Sequence, residues 1–302
     1  MSAESEIVTL ARGCMSLAVA PAIGGSIVHF RSRASAGVID WLRPASDAAL
    51  RARDPTGLAC FPLVPYSNRI RNGRFRFNGR LVILPHPPMR EPHAEHGHGW
   101  NAVWSIAALD ERRLRIEYEH RPDDWPWAYR AWQIFALEDD SLCVTIGIHN
   151  LAEASMPCGL GLHPYFPRTP GTIVTAHATA MWRNDAEVLP QELAPLAPPA
   201  DPREGVAVDR VSLDNVFAGW TGEAILRWPE TGRQLTMHAS EPLRILVVYS
   251  PAGEQYFCAE PVSNATDAFN LVAAGRDDTG LVVLEPNQNL EATVALRPVL
   301  AG

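Results

Sequence analysis

SLCVTIGIHN, residues 141–150, decides the fold reading. Leu142, Val144, Ile146 and Ile148 fall on alternate positions, and a period of two puts them on one face of a strand. The same rhythm runs through LRIEYEH, where Leu114, Ile116 and Tyr118 alternate with Arg115, Glu117 and Glu119. In RFRFNGRLVIL, residues 74–84, two alternating runs flank Asn78-Gly79. That dipeptide predicts a hairpin, because a type I′ turn needs positive φ at both central residues. Further strands are predicted at IVTLARG, MSLAVAP, GSIVHFRS, YRAWQIFAL, AILRW, LRILVVYS and LEATVALRPV.

Helical periodicity is scarce. ASDAALRARD (45–54), stopped by Pro55, predicts a short helix, and NATDAFNLV predicts a second with Asn264 near its cap. Prolines and glycines punctuate the strands, and PLAPPADPREG (195–205) reads as a long surface loop, with strand signals of the same kind on both sides. These patterns predict one all-β domain over residues 1–302, a large antiparallel β-sandwich.

Composition narrows the function classes. Of 302 residues, 47% are hydrophobic and 20% charged, an ordinary globular balance that argues against disordered and fibrous classes. Lys+Arg 26 against Asp+Glu 34 gives a net charge of -8, which disfavours a nucleic-acid partner because a phosphate backbone calls for a cationic field. Cys14, Cys60, Cys143, Cys158 and Cys258 are odd in number, scattered and without a CxxC pair, the pattern of free thiols in a reducing compartment. MSAESEIVTLARG carries acids where a signal peptide has basic residues, and no stretch is apolar for the length of a membrane span. The expectation is a cytoplasmic protein without a membrane partner, a monomer or homodimer.

Four polar stretches exceed what strand packing requires. FPLVPYSNRIRNGRF contains Asn68 and Arg69, and PHAEHGHGW contains His93, Glu95, His96 and His98. In GLGLHPYFP, His163 follows an apolar run, and Pro164 biases it toward an extended backbone. In YFCAEPVS, Glu260 stands among aromatic and apolar residues, where a carboxylate is expensive to bury unless it sits at a strand end or in a working cleft. His96 and His98, two apart, would share a strand face as the metal ligands of a cupin-like barrel do. Such a site wants a glutamate three or four residues further on, where this chain has Asn101 and Ala102. No metal or other cofactor is expected.

Together these stretches resemble the aldose 1-epimerase, or galactose mutarotase, family. LAVAPAIGGSIVHF, SNRIRNGRF, HGHGW with Trp104, HNLAEASMPCGLGLHPYF, LDNVFAGW and FCAEPVS follow the family's order and spacing over nearly the whole chain. The resemblance implies a galactose mutarotase-like supersandwich, a cofactor-free sugar cleft on one sheet, and interconversion of the α and β anomers of a free hexose. By the same resemblance Glu260 is the general base and His163 the general acid, while Arg69, His96 and Asp214 bind the small-molecule sugar. Asn68, Trp104 and Tyr165 lie in matching motifs as further substrate-binding positions. Glu285, in LVVLEPNQNL, falls on a C-terminal turn away from the catalytic carboxylate. The chain departs from the family ahead of the histidine loop, where LPHPPMREPHAEHG lacks an asparagine the family often carries.

The residue types fit the chemistry independently. Opening a pyranose removes the proton of the C1 hydroxyl while donating one to the ring oxygen, which a carboxylate and an imidazolium do in concert. A sugar-phosphate epimerase would add phosphate-binding arginines, for which Arg71, Arg74, Arg76 and Arg90 are available. A noncatalytic carbohydrate-binding module would need neither acid nor base. A glycosidase would want a second carboxylate across the bond.

Overall fold

A computed structural model describes residues 7–35, 37–85 and 92–300. Two large antiparallel sheets carry the fold. The larger has eleven strands; its main path runs Val8–Arg12, Met15–Ala20, Ser26–Ala34, Cys60–Leu63, Gly161–Pro167, Tyr256–Val262, Ile245–Ser250, Leu213–Ala218, Ala180–Asn184 and Pro190–Pro195, with Gly37–Asp40 beside Ser26–Ala34. The nine-stranded sheet runs Ser105–Leu109, Arg113–His120, Tyr129–Leu137, Leu142–Asn150, Asn289–Leu300, Arg233–Ala239, Glu223–Trp228, Ile173–Ala176 and Val206–Ala207. Consecutive strands such as Arg113–His120, Tyr129–Leu137 and Leu142–Asn150 lie side by side, whereas Leu142–Asn150 pairs with the distant Asn289–Leu300, so register there rests on the alternation within each strand.

One hydrophobic core lies between the sheets. From the nine-stranded sheet it takes Leu142, Val144, Ile146 and Ile148, together with Leu114 and Ile116. From the larger sheet it takes Leu162, Phe166, Phe257, Ala259, Leu246 and Val248. The alternate residues of those central strands face the other way. Tyr165, Cys258, Val262, Ile245 and Val247 form a separate cluster with Phe61, Trp100, Trp182 and Val216. That outward face is the ground on which the polar residues of the sequence motifs stand.

Local predictions hold where turn chemistry is explicit. Arg74–Phe77 pairs with Arg80–Ile83, and φ is 47° at Asn78 and 78° at Gly79. The first helix is Asp47–Ala52, with the Ser46 hydroxyl accepting from the Ala49 N–H and Arg53 closing it in the left-handed conformation. The second begins later than its motif suggests, at Ala268–Ala273. Asn264 is not its cap. It is buried, its Oδ1 accepts from the Ser67 N–H at 3.1 Å, and its Nδ2 donates to the Ser67 carbonyl at 3.1 Å. The five cysteines are free thiols. Among the described residues, no helix is long and apolar enough to cross a membrane.

Candidate active site

Strand register assembles the centre of the site. Gly161 pairs with Val262 and Tyr165 with Cys258, which sets His163 opposite Glu260 on the outward face. His163 in turn lies across from Phe61, and Glu260 across from Val247. Two residues along the strands runs a parallel row in which Cys258 lies between Tyr165 and Tyr249, and Tyr249 opposes Asp214. His163 Nε2 and Glu260 Oε1 are 3.3 Å apart, with the side chains only 9% and 4% exposed. Phe61 and Tyr165 sandwich the imidazole, at ring separations of 4.4 and 4.8 Å. A stacked ring with one polar edge turned to a carboxylate is fixed for proton transfer rather than free to rotate.

Over this pair lies a cavity of about 220 Å³. Its wall includes Asn68, Arg69, His96, His163, Tyr165, Asp214 and Glu260, so the structure brings seven of the eight predicted positions together. Trp104 is the exception. Its ring is buried in the main core against Tyr118, and its Nε1 donates to the Gly99 carbonyl at 2.8 Å. It braces the histidine loop from beneath and does not line the cavity. Glu285 is exposed in a turn, its N–H bonded to the Gln288 side chain.

The histidine loop is held by backbone constraint. His96 and Asn68 both have φ of 63°, and each grips the other: the Asn68 N–H donates to His96 Nδ1 at 3.1 Å, and the His96 N–H donates to the Asn68 carbonyl at 3.1 Å. With Nδ1 accepting, the neutral ring carries its proton on Nε2. Gly97, at φ 71°, packs so closely that a Cβ would lie 2.6 Å from the Val64 carbonyl oxygen. No other residue fits there. The loop therefore points its histidines apart. His96 lines the cavity. His98 stacks on His120 at 4.6 Å and 12°, facing a different recess. Among the described residues no metal-spaced group contains both, so the shared strand face of the cupin comparison is not formed. His93 is also structural, its Nδ1 accepting from the Asn72 N–H.

Sequence reasoning passed over Glu95 as a site residue. Ala94–Glu95 pairs with Arg69–Ile70, directly opposing Glu95 and Arg69. Its carboxylate is buried, 3.7 Å from Arg69 NH2 and 3.6 Å from His96 Nε2. Arg69 also reaches Asp214 at 3.3 Å. Glu95 thus aims the two donors into the cavity while Asp214 presents an acceptor beside them. Tyr249 and Tyr256 complete that side. Burial, with Tyr256 and Asp214 nearby, pushes the Tyr249 hydroxyl up to about 12, and burial lifts Tyr165 further. Both are hydroxyl donors at neutral pH. Behind them Arg43 lies 3.9 Å over the Tyr165 ring and 4.6 Å over that of Tyr256, anchored on the carbonyls of Thr56 and Leu58.

Among the described residues, two groups of donor atoms have metal-like spacing: His163 with Cys258 and Glu260, and His98 with His120 and Asp123.

A buried imidazole beside a buried carboxylate on the outward face of a β-sandwich is an arrangement able to pass protons to and from a bound ligand, and comparison with known proteins places the chain in a family. The aldose 1-epimerase model matches residues 6–297. The chain belongs to the aldose 1-epimerase family, a family of isomerases. It is 32% identical over 280 residues, 86% of this chain and 92% of its counterpart, to the uncharacterised Escherichia coli protein YphB. A crystal structure of a candidate aldose 1-epimerase from Escherichia coli K12 superposes with a TM-score of 0.87 at 29% identity, covering 98% of this chain and 99% of that one. A galactose 1-epimerase from Lactobacillus acidophilus shares the fold at 16% identity and a TM-score of 0.78, over 98% of this chain and 95% of that one.

Proposed function

We propose that the protein interconverts the α and β anomers of a free aldohexose. Glu260 takes the proton of the C1 hydroxyl while His163, as imidazolium, donates one to the ring oxygen; the C1–O5 bond breaks and the aldehyde forms. Rotation about C1–C2 presents the other carbonyl face. The ring oxygen then adds to C1, His163 recovers the proton from it, and Glu260 returns its own to the carbonyl oxygen. Atoms and charge balance without a metal, nucleotide or covalent intermediate.

The observation that carries this reading is the 3.3 Å pairing of a buried imidazole with a buried carboxylate at the bottom of a cavity. O1 and O5 share one carbon, so their base and acid must stand side by side. The cavity is smaller than the roughly 300–1,000 Å³ typical of drug-sized ligands, which suits one sugar ring rather than a dinucleotide. Arg69 and His96 supply donors to the hydroxyls, and Asp214 an acceptor.

Charge favours a free sugar over its phosphate. Glu95, Asp214 and Glu260 line the cavity against one arginine, Arg69, itself paired with two of those carboxylates. Arg71 lies between Asp185 and Asp267, at 3.8 and 3.5 Å. Arg74 and Arg76 are exposed on the hairpin, and Arg90 falls outside the described residues. A dianionic phosphate would find little unspent positive charge. The test is anomer exchange, by polarimetry or NMR exchange spectroscopy, across free and 6-phosphorylated aldoses. Acceleration of free aldoses, unchanged by a strong chelator, is the expected result. A tenfold preference for the phosphorylated sugar, about 1.4 kcal/mol of transition-state binding, would reverse the substrate assignment. No acceleration with any aldose would overturn the activity.

A further inference from the structure

Catalysis as proposed leaves a thiol of the outward face unused. Cys258 stands two residues before Glu260 on the same strand, so its thiol projects to the same side of the sheet. It is fully buried beneath the cavity, and its Sγ lies within 4.8 Å of both a ring nitrogen of His163 and a carboxylate oxygen of Glu260. Donors on a tetrahedral zinc, with bonds of about 2.0–2.3 Å, stand roughly 3.3–3.7 Å apart. The His163–Glu260 edge is 3.3 Å already, and the thiol needs a shift of about an ångström or less to close the triangle.

We propose that His163, Glu260 and Cys258 form an inhibitory site for a thiophilic divalent cation of the zinc class, which disables the acid and the base in a single binding event. The inference rests on the acid–base reading above for its inhibitory sense, but not for the binding itself. The ion forms bonds to imidazole nitrogen, thiolate sulfur and carboxylate oxygen, and its fourth position opens to the cavity for a water or a sugar hydroxyl. No electron is transferred. The thiol proton leaves to solvent, and so does the second imidazolium proton where His163 carries one. With its Nε2 lone pair on the ion, His163 cannot donate a proton; with its oxygen engaged, Glu260 cannot accept one.

The donor set also dictates which ions act. An ion is held here only if it values sulfur enough to bond the buried Cys258 thiol. Zinc and cadmium do so. Magnesium and calcium, which take oxygen ligands, do not. The acidic cavity draws the cation in without penalising a neutral sugar. The other metal-spaced group lacks this geometry. An ion must lie near the plane of each imidazole that ligates it, and the His98 and His120 rings are stacked almost parallel at 4.6 Å.

Cobalt(II) is the probe for binding, since a cobalt–thiolate bond gives a near-ultraviolet charge-transfer band whether or not any sugar is turned over. The wild type should show the band, with one equivalent of zinc abolishing it. Cys258→Ser should lose the band, keep its uninhibited exchange rate within about twofold, and need about tenfold or more zinc for half-inhibition. Cys14→Ser should keep the band, excluding the exposed thiol. Cys258→Ala replaces the serine variant if a hydroxyl at this buried position unfolds the chain. Absence of the thiolate band, or equal zinc inhibition of wild type and Cys258 variants, overturns the proposal. A band in a protein that turns over no aldose would keep the ion site and remove the epimerase reading instead.

Discussion

The two faces of the central strands use the same backbone for different ends. Along Tyr256–Val262, Phe257 and Ala259 enter the main core while Cys258 and Glu260 project to the outward face, where Glu260 lines the cavity. Along Gly161–Pro167, Leu162 and Phe166 face inward while His163 and Tyr165 face outward. A residue's partner across the sheet is thus set by packing on the opposite side. The inward face holds the register, and register holds His163 opposite Glu260. Stability and chemistry are separable by substitution even though neighbouring residues carry them.

The largest effect that separates them should come from the inward face. Phe257 is fully buried and stacks on Phe166 at 5.5 Å, so Phe257→Ala should cost about 3–5 kcal/mol of stability. Denaturant titration measures the loss. The exchange rate per folded molecule should change far less, and a rate lost in proportion to stability would break the distinction between the faces. Glu260→Gln should show the reverse. An amide keeps the shape but takes no proton at neutral pH, so exchange should fall by roughly 10²-fold or more while the denaturation midpoint barely moves. His163→Asn should behave alike, and the double variant should be much less than doubly impaired, because the proposed reaction uses both residues in one step. Glu285→Gln, in its exposed turn, should leave the rate unchanged.

A smaller effect sharpens the account of the cavity wall. Glu95 orients Arg69 and His96 from 3.7 and 3.6 Å and carries no proton in the proposed reaction. Glu95→Gln should raise KM by about tenfold with little change in kcat, the signature of binding held equally in ground and transition states. An equal fall in kcat would place Glu95 in the chemistry itself.

Legibility followed the same division. Alternation was visible in SLCVTIGIHN and LRIEYEH because each strand turns one apolar face to the core, and Asn78-Gly79 was visible because turn chemistry is local. His163 and Glu260 stood out as polar groups inside apolar strands. Their proximity was not visible, since it depends on the pairing of Gly161 with Val262, a long-range fact. Glu95 was hidden for a related reason. A two-residue strand has no period to read, and its pairing with Arg69 depends on positive φ at Asn68 and His96. Trp104 misled because a conspicuous motif position can brace a loop as readily as touch a substrate. Asn264 looked like a helix cap until its amide was found clamped on Ser67.

At neutral pH the smallest effect is expected from His98, although it lies only two residues from His96. His98 stacks on His120 with Nδ1 buried and unbonded, and burial, followed by the neighbouring His120, lowers its pKa to about 4 from an unfolded value near 6.5. The folded protein therefore holds His98 neutral at pH 5, where the unfolded chain binds a proton. Stability is unaffected above about pH 7, falls as pH drops from about 6.5 to 4, and then levels. One proton taken up only by the unfolded state corresponds to at most about 1.4 kcal/mol per pH unit over that window. His98→Phe keeps a flat ring against His120 and removes the titrating group, so it should leave both the exchange rate and the stability at pH 7.5 nearly unchanged while making the loss of stability toward pH 4.5 shallower. His29, also lowered to about 4, would still titrate in the variant, so the slope should lessen rather than vanish. Denaturant midpoints of the two proteins at a series of pH values measure the difference. Parallel curves would show that His98 does not remain neutral in the fold, and a fall in exchange at pH 7.5 would show that the two ends of the histidine loop are not as separate as their opposite orientations imply.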